Sequence, residues 1–65
     1  MITNEPDVTL NGLYSIGKAS EILGIDRSTL RRHTALGLIK VSFSRVNGRK
    51  RYEGRDIIRY WRLNA

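Results

Sequence analysis

Gly24 and Asp26 place the end of one helix and the start of another only two residues apart. Before this point, apolar residues recur at helical spacing over residues 16–23, and Ser15 can cap the first turn. Glycine suits the left-handed residue that ends a helix, whereas aspartate is a good N-cap for the next one. The spacing therefore predicts a first helix over residues 16–23, a three-residue turn, and a second helix immediately after Asp26.

The second helix is predicted from "RSTLRRHTAL", in which Leu30 is spaced for burial and Gly37 marks the far end. Two short helices joined in this way form a helix-turn-helix. The second helix of such a unit usually lies in the DNA major groove and contacts base edges from its N-terminal half. Its predicted solvent-facing side carries the candidate DNA-reading residues Arg27, Ser28, Arg31 and Arg32.

A β-hairpin is predicted after the second helix, because "LIKVSF" is rich in β-formers and "NG" favours a two-residue type I′ turn. Pairing across that turn sets Val46 opposite Arg49 and Phe43 opposite Tyr52. We call residues 43–52 the wing. Its two aromatic residues are expected to reach the core, while its cations cluster toward the tip. The candidate DNA contacts of the wing are Arg45, Arg49, Lys50 and Arg51.

The charge distribution indicates a polyanionic partner. The chain has 65 residues and a net charge of +6, from 12 Lys plus Arg against 6 Asp plus Glu. Eight of these cations and no carboxylate lie between Arg27 and Tyr52. Such a field attracts polyanions, and DNA phosphates would relieve the repulsion among the wing cations. Double-stranded DNA is therefore the expected partner.

The two ends of the chain have different patterns. Residues 1–12 show no apolar period and are expected to form a flexible arm, with "DVTL" as a candidate short strand. Residues 13–65 form the predicted DNA-binding domain. In "EGRDIIRYWRLNA", Ile57, Tyr60 and Trp61 are spaced for a third helix packed on the first two. The opposite side of this helix carries Arg55, Arg59 and Arg62.

The expected fold is mainly α with a small β-hairpin: a winged helix-turn-helix of three short helices plus a two-stranded wing. Cysteine is absent, and no apolar run approaches the roughly 18 residues of a membrane span. These features predict a soluble cytoplasmic protein that associates with the nucleoid through DNA, without a membrane partner.

Catalysis and metal binding find little support in the sequence. The chain has several serines but a single histidine that could activate one of them as a nucleophile. Its glycines form no phosphate-binding motif. We expect no enzyme, no cofactor, no metal and no small-molecule effector. His33 is interpreted first as a packing or hydrogen-bonding group and second as a phosphate contact. Lys18 and His33 are further candidates for contact with the DNA backbone.

The motifs together resemble a known family. "YSIGKASEILGIDRSTLRRHTALGLIK", followed by "NGRKRY" and "RDIIRYW", is similar to the DNA-binding head of MerR-type regulators, to small excisionases and to phage small-terminase heads. The resemblance covers residues 13–63. It implies that the second helix enters the major groove and that the wing contacts backbone phosphate or the adjacent minor groove.

This sequence differs from the MerR regulators in three features. MerR regulators usually have an acidic residue at the position of Lys18, a tyrosine at that of His33, and a long dimerisation helix after the head. Without such a dimerisation helix, this sequence is closer to an excisionase or to a small phage or mobile-element regulator. An excised head of a larger regulator or terminase subunit is the other expectation. An alternative class is a protein-interaction module that uses the C-terminal helix, for which a recombinase is a candidate partner.

Overall fold

The computed structural model of the chain describes residues 2–64; Met1 and Ala65, the ends of the predicted arm and domain, lie outside this range. Three helices and three short strands follow one another: β1 (Leu13–Tyr14), α1 (Ile16–Leu23), α2 (Arg27–Ala35), β2 (Ser42–Phe43), β3 (Lys50–Glu53) and α3 (Gly54–Asn64). The architecture is the predicted winged helix-turn-helix, with one additional strand, β1. None of the helices in the described range is long and apolar enough to cross a membrane.

The caps predicted from the sequence define α1 and the start of α2. The Ser15 hydroxyl accepts a hydrogen bond from the Lys18 N–H, and Gly24 has the left-handed φ of 72° that ends α1. Asp26 caps α2 by accepting from the Thr29 N–H at 3.3 Å. The turn between the helices consists of residues 24–26, as predicted.

One hydrophobic core lies where the three helices meet the sheet. α2 contributes Leu30 as its single buried residue, while α3 contributes Ile57 and Tyr60. Trp61 is half-buried and packs against this core. The buried hydrophobic residues that form this core are Ala19, Leu23, Leu30, Ile39, Tyr52, Ile57 and Tyr60. The helical spacing of Ile57, Tyr60 and Trp61 thus identified packing residues.

The sheet has the strand order β1-β3-β2, with both pairings antiparallel. β1 pairs Tyr14 with Tyr52 of β3, so β3 is the central strand. β1 was not predicted from the sequence. A strand of two residues has too few positions to show a period-2 pattern, so only its pairing with β3 reveals it.

The predicted register of the wing is wrong by two residues. Phe43 lies opposite Lys50 rather than Tyr52, and the strands are joined by four residues, 45–48, rather than by two. A type I′ turn requires positive φ at both central residues, but only Gly48, with a φ of 70°, has it; Asn47 does not. Val46 consequently leaves the predicted strand pair and lies in the loop.

Side-chain hydrogen bonds explain why the longer loop is stable. The Ser44 hydroxyl accepts from the Val46 N–H at 3.3 Å, and the Asn47 side-chain oxygen accepts from the Arg49 N–H at 3.0 Å. Such local bonds satisfy backbone donors that a tighter hairpin would pair between its strands. A shift of two residues keeps the side-chain faces unchanged, so Tyr52 is still buried. Phe43 lies on the same face as Tyr52 but nearer the tip of the wing, and it is 61% exposed. The prediction that Phe43 reaches the core is therefore wrong.

Residues 2–12 do not form the separate arm that the sequence suggested, nor the short strand at "DVTL". The Ile2 N–H donates to the Leu23 carbonyl at the end of α1, and the Trp61 indole N–H donates to the Ile2 carbonyl, both at 3.0 Å. Pro6 is buried. Farther along, the backbone N–H of Gly54 donates to the Gly12 carbonyl. This segment therefore packs across α1 and α3 without regular secondary structure.

Candidate nucleic-acid interface

Two tyrosines hold the C-terminal half of α2 in place. The Thr34 hydroxyl donates to the Leu30 carbonyl at 2.8 Å, so it accepts from the Tyr52 hydroxyl, 2.7 Å away. One residue earlier, His33 Nδ1 lies 2.5 Å from the Tyr60 hydroxyl. Burial raises the pKa of Tyr60 above its ordinary value of 10.0, so this phenol stays neutral over a wider pH range. The wing and α3 are thereby both fixed to the same part of α2.

The N-terminal half of α2 is left exposed to solvent. Asp26 begins this half, and the hydrogen bond from the Thr29 side chain is the main cause that lowers the pKa of its carboxyl. The four candidate DNA-reading residues follow within two turns, and all are exposed: Arg27, Ser28, Arg31 and Arg32. The predicted polar side is therefore available to a ligand.

A groove runs between α2 and the wing. Arg27 and Arg31 line its α2 side, and residues 49–51 line its wing side. Its lining also includes the apolar residues Ile16, Ala35, Val41 and Phe43. Five of the eight contact residues predicted on α2 and the wing thus surround one surface concavity, although they come from two distant parts of the sequence.

Gly17 allows Arg27 to lie close to the start of α1. A Cβ atom at Gly17 would be 2.6 Å from Arg27 Nη2, which is too short for an ordinary contact. Glycine is the one residue without a Cβ, so the guanidinium can pass directly over the helix backbone. The absence of a Cβ at Gly17 thus leaves room for Arg27 at the edge of the groove.

The cations of the groove keep their charge uncompensated. Within residues 2–64 the ion pairs are Arg55 with Glu53, at 3.3 Å, and Arg62 with Glu5, at 2.8 Å. Both arginines belong to α3. None of the eight cations between Arg27 and Tyr52 forms an ion pair in this part of the chain. The net positive field is therefore concentrated on α2 and the wing.

A family comparison agrees with this geometry. The family model described as "Helix-turn-helix domain" matches residues 13–64, which is most of the chain. This chain belongs to the helix-turn-helix domain family. No curated protein and no solved structure matches it significantly. Membership in a DNA-binding family, together with the uncompensated cations, makes DNA the partner of this helix-turn-helix domain.

Several predicted contact residues of the helix-turn-helix domain lie outside the groove. Ser28 and Arg32 are exposed on α2 but do not line it, and Arg45 lies in the wing loop. Lys18 is exposed in the first turn of α1. His33 is half-buried and contacts Tyr60, which is the packing position considered first for it. Among residues 2–64, no three metal-ligating side chains come together.

Three residues that shape this surface of the helix-turn-helix domain were not identified from the sequence. Phe43 was assigned to the core but lines the groove, because its position depends on the wing register. Thr34 joins α2 to Tyr52 across 18 residues of sequence, and no local pattern signals that contact. Gly17 could have been identified locally, because an isolated glycine inside a helical pattern indicates that another group packs closely against the helix.

Proposed function

We propose that this helix-turn-helix domain binds a specific sequence of double-stranded DNA with α2 in the major groove. In this proposal Arg27, Ser28, Arg31 and Arg32 face the base edges, and the wing contacts the flanking backbone or minor groove. Arginine can pair with both acceptors of a guanine in the major groove, which suits it to sequence readout. Lys18 is proposed as a peripheral contact to phosphate.

The observation that carries this proposal is the convergence of uncompensated cations on both sides of one groove. Arg27 and Arg31 come from α2, whereas residues 49–51 come from the wing. On α3, by contrast, Arg55 and Arg62 form ion pairs with glutamates. A polyanion that contacts α2 would therefore meet the wing at the same time, as expected for a duplex lying against both elements.

The biological role proposed is that of an excisionase-like factor that sets the direction of recombination, or of a small phage or mobile-element transcription regulator. The resemblance of residues 13–63 to excisionases supports it, as does the helix-turn-helix match over residues 13–64. A protein that engages a helix and a wing on one duplex can also bend it.

Selection from random duplexes, read by sequencing, tests specific binding. One recovered sequence motif is expected, and fluorescence anisotropy on that site should give a log–log salt slope of roughly −3 to −6, from about 4 to 6 neutralised phosphates. A salt slope near zero, or no enriched motif, would contradict the proposal. Circular-permutation gels on the same site should reveal a bend if the role is architectural.

A protein contact on α3 is a second candidate function. Leu63 is 74% exposed on this helix, and Arg59 beside it forms no ion pair within residues 2–64. An exposed apolar residue beside such a cation suits a partner helix with acidic and apolar side chains, and a recombinase is one such candidate. Binding through this surface should depend weakly on salt, which separates it from DNA binding.

A further inference from the structure

We propose that Phe43 packs on a deoxyribose of a DNA strand that lies in the groove between α2 and the wing. This inference rests on the proposed function and adds a residue and a contact type to it. Phe43 would supply the apolar part of binding, whereas the surrounding cations supply the electrostatic part. Phe43 would thus increase the affinity for DNA without contributing to sequence preference.

The register of the wing puts Phe43 in this position. It lies opposite Lys50, and residues directly opposite in a sheet share a face. Tyr52 follows two positions later on the same face and is buried against Thr34 of α2. Phe43 therefore faces the α2 side of the wing but lies beyond the core, and its side chain lines the groove while remaining 61% exposed.

The chemistry of the groove matches a sugar–phosphate chain. It is lined both by guanidinium and ammonium groups, from Arg27, Arg31, Arg49 and Lys50, and by the apolar side chains of Val41 and Phe43. A DNA strand alternates phosphates, which pair with cations, with deoxyribose rings whose carbon faces are apolar. A purely inorganic polyanion offers no group for Phe43. The groove is therefore better matched to a nucleic acid backbone than to charge alone.

An acidic protein helix is the competing occupant. It would have to match the same cations with carboxylates and the same apolar lining residues with apolar side chains. The helix-turn-helix family match and the exposed reading side of α2 both favour DNA, because a duplex would lie against α2 and the wing at the same time. We therefore assign the groove to a strand of the bound duplex.

The test compares Phe43→Ala with Leu36→Ala, a control that removes a similarly exposed apolar side chain, 67% exposed, from outside the groove. Binding to the selected duplex and to a random duplex is measured over a range of salt concentrations. Phe43→Ala is expected to weaken both roughly tenfold with an unchanged salt slope, because an apolar contact releases no counterions. Leu36→Ala should bind like the unaltered chain. Phe43→Leu, which keeps an apolar side chain, should recover most of the affinity.

Two further ligands decide the contact type. Inorganic polyphosphate should bind Phe43→Ala and the unaltered chain equally; an equal loss on polyphosphate would overturn the sugar contact. A duplex with uracil in place of thymine should preserve the tenfold difference. If the difference disappears there, Phe43 contacts a thymine methyl group and the inference is wrong. Unchanged duplex binding by Phe43→Ala also overturns it, whereas failure of the unaltered chain to bind any duplex would overturn the proposed function itself.

Discussion

At the scale of single residues, arginine has different surroundings in different parts of this molecule. Arg62 is held by Glu5 at 2.8 Å, whereas Arg31 lies exposed with no ion pair within residues 2–64. The sequence indicated this difference, because the acid-free stretch left the central cations without local partners. It could not indicate the Arg62–Glu5 pair, which joins residues 57 positions apart.

Arg31→Ala should reduce sequence preference more than overall affinity. In our proposal Arg31 contacts base edges, and a bidentate contact to guanine is worth about 1–3 kcal/mol of discrimination. Competition binding with selected and scrambled duplexes measures this directly. Arg59→Ala on α3 is the matched control and should keep full discrimination. Equal weakening on both duplexes by Arg31→Ala would place this residue on the backbone instead.

The Asp26 carboxyl should titrate below its ordinary value of 3.8, mainly because the Thr29 hydroxyl donates to it. The folded form thus favours the ionised carboxylate. Its contribution to stability is present above pH 3.8 and is lost as pH falls through the lowered pKa. NMR titration should show the pKa of Asp26 rising toward 3.8 in Thr29→Ala but staying low in Thr29→Ser. An unchanged pKa in Thr29→Ala would assign the shift to another cause.

At the scale of elements, the helices were more predictable than the wing. α1 has the predicted bounds, because Ser15 and Gly24 signal its ends locally. The wing register depends instead on competition between a tight Asn-Gly turn and the bonds that Ser44 and Asn47 form in a longer loop. Sequence shows that all of these options exist, and burial of Tyr52 does not choose between the two registers, because a shift of two residues keeps it on the same face.

The wing as a unit should position the protein on DNA without reading sequence. Arg49→Ala combined with Lys50→Ala should weaken selected and random duplexes by similar factors, because phosphate contacts carry no sequence information. The salt slope should become shallower by roughly 1 to 2 units, about 0.9 for each phosphate that is no longer neutralised. Arg55→Ala, on α3 and paired with Glu53, provides the control and should keep the slope. Reduced discrimination in the wing variant would instead indicate minor-groove reading.

The hydrogen bond between Tyr52 and Thr34 should couple the wing to α2. Tyr52→Phe keeps the buried ring but removes the donor, so the free energy of unfolding should fall by about 0.5–1.5 kcal/mol. Urea denaturation of Tyr52→Phe, Thr34→Val and the double variant measures the coupling. The double variant should lose less than the sum of the single losses. Strict additivity would show that the two side chains do not interact energetically.

At the scale of the whole molecule, the N-terminal segment completes the domain. Ile2 connects the end of α1 to Trp61 of α3 through its two backbone groups. The sequence could not show this, because a segment without periodicity reads as unstructured until its distant partners are known. A small core benefits from such additional packing, since short chains bury a smaller fraction of their surface.

Deletion of residues 1–6 should therefore destabilise the fold. It removes the hydrogen bonds of Ile2 and the buried Pro6, which together should cost about 1–3 kcal/mol of unfolding free energy. Trp61 is the single tryptophan of the chain, so its fluorescence should shift to longer wavelength as the indole gains access to water. Glu5→Gln removes the exposed ion pair alone and should change stability by less than about 1 kcal/mol. Unchanged stability after the deletion would contradict this role.

Leu30 is the one buried residue of α2, and the exposure of its reading side has a practical consequence for protein engineering. Substitutions at exposed positions away from caps and buried contacts usually change stability by no more than about 0.5 kcal/mol. Positions 28, 31 and 32 can therefore be randomised together while the scaffold keeps its fold. Gly17 should be kept wherever Arg27 is kept, because a Cβ at position 17 would crowd the guanidinium. If these three positions read bases as proposed, a display library built on them should yield compact domains with the same architecture and new target sites.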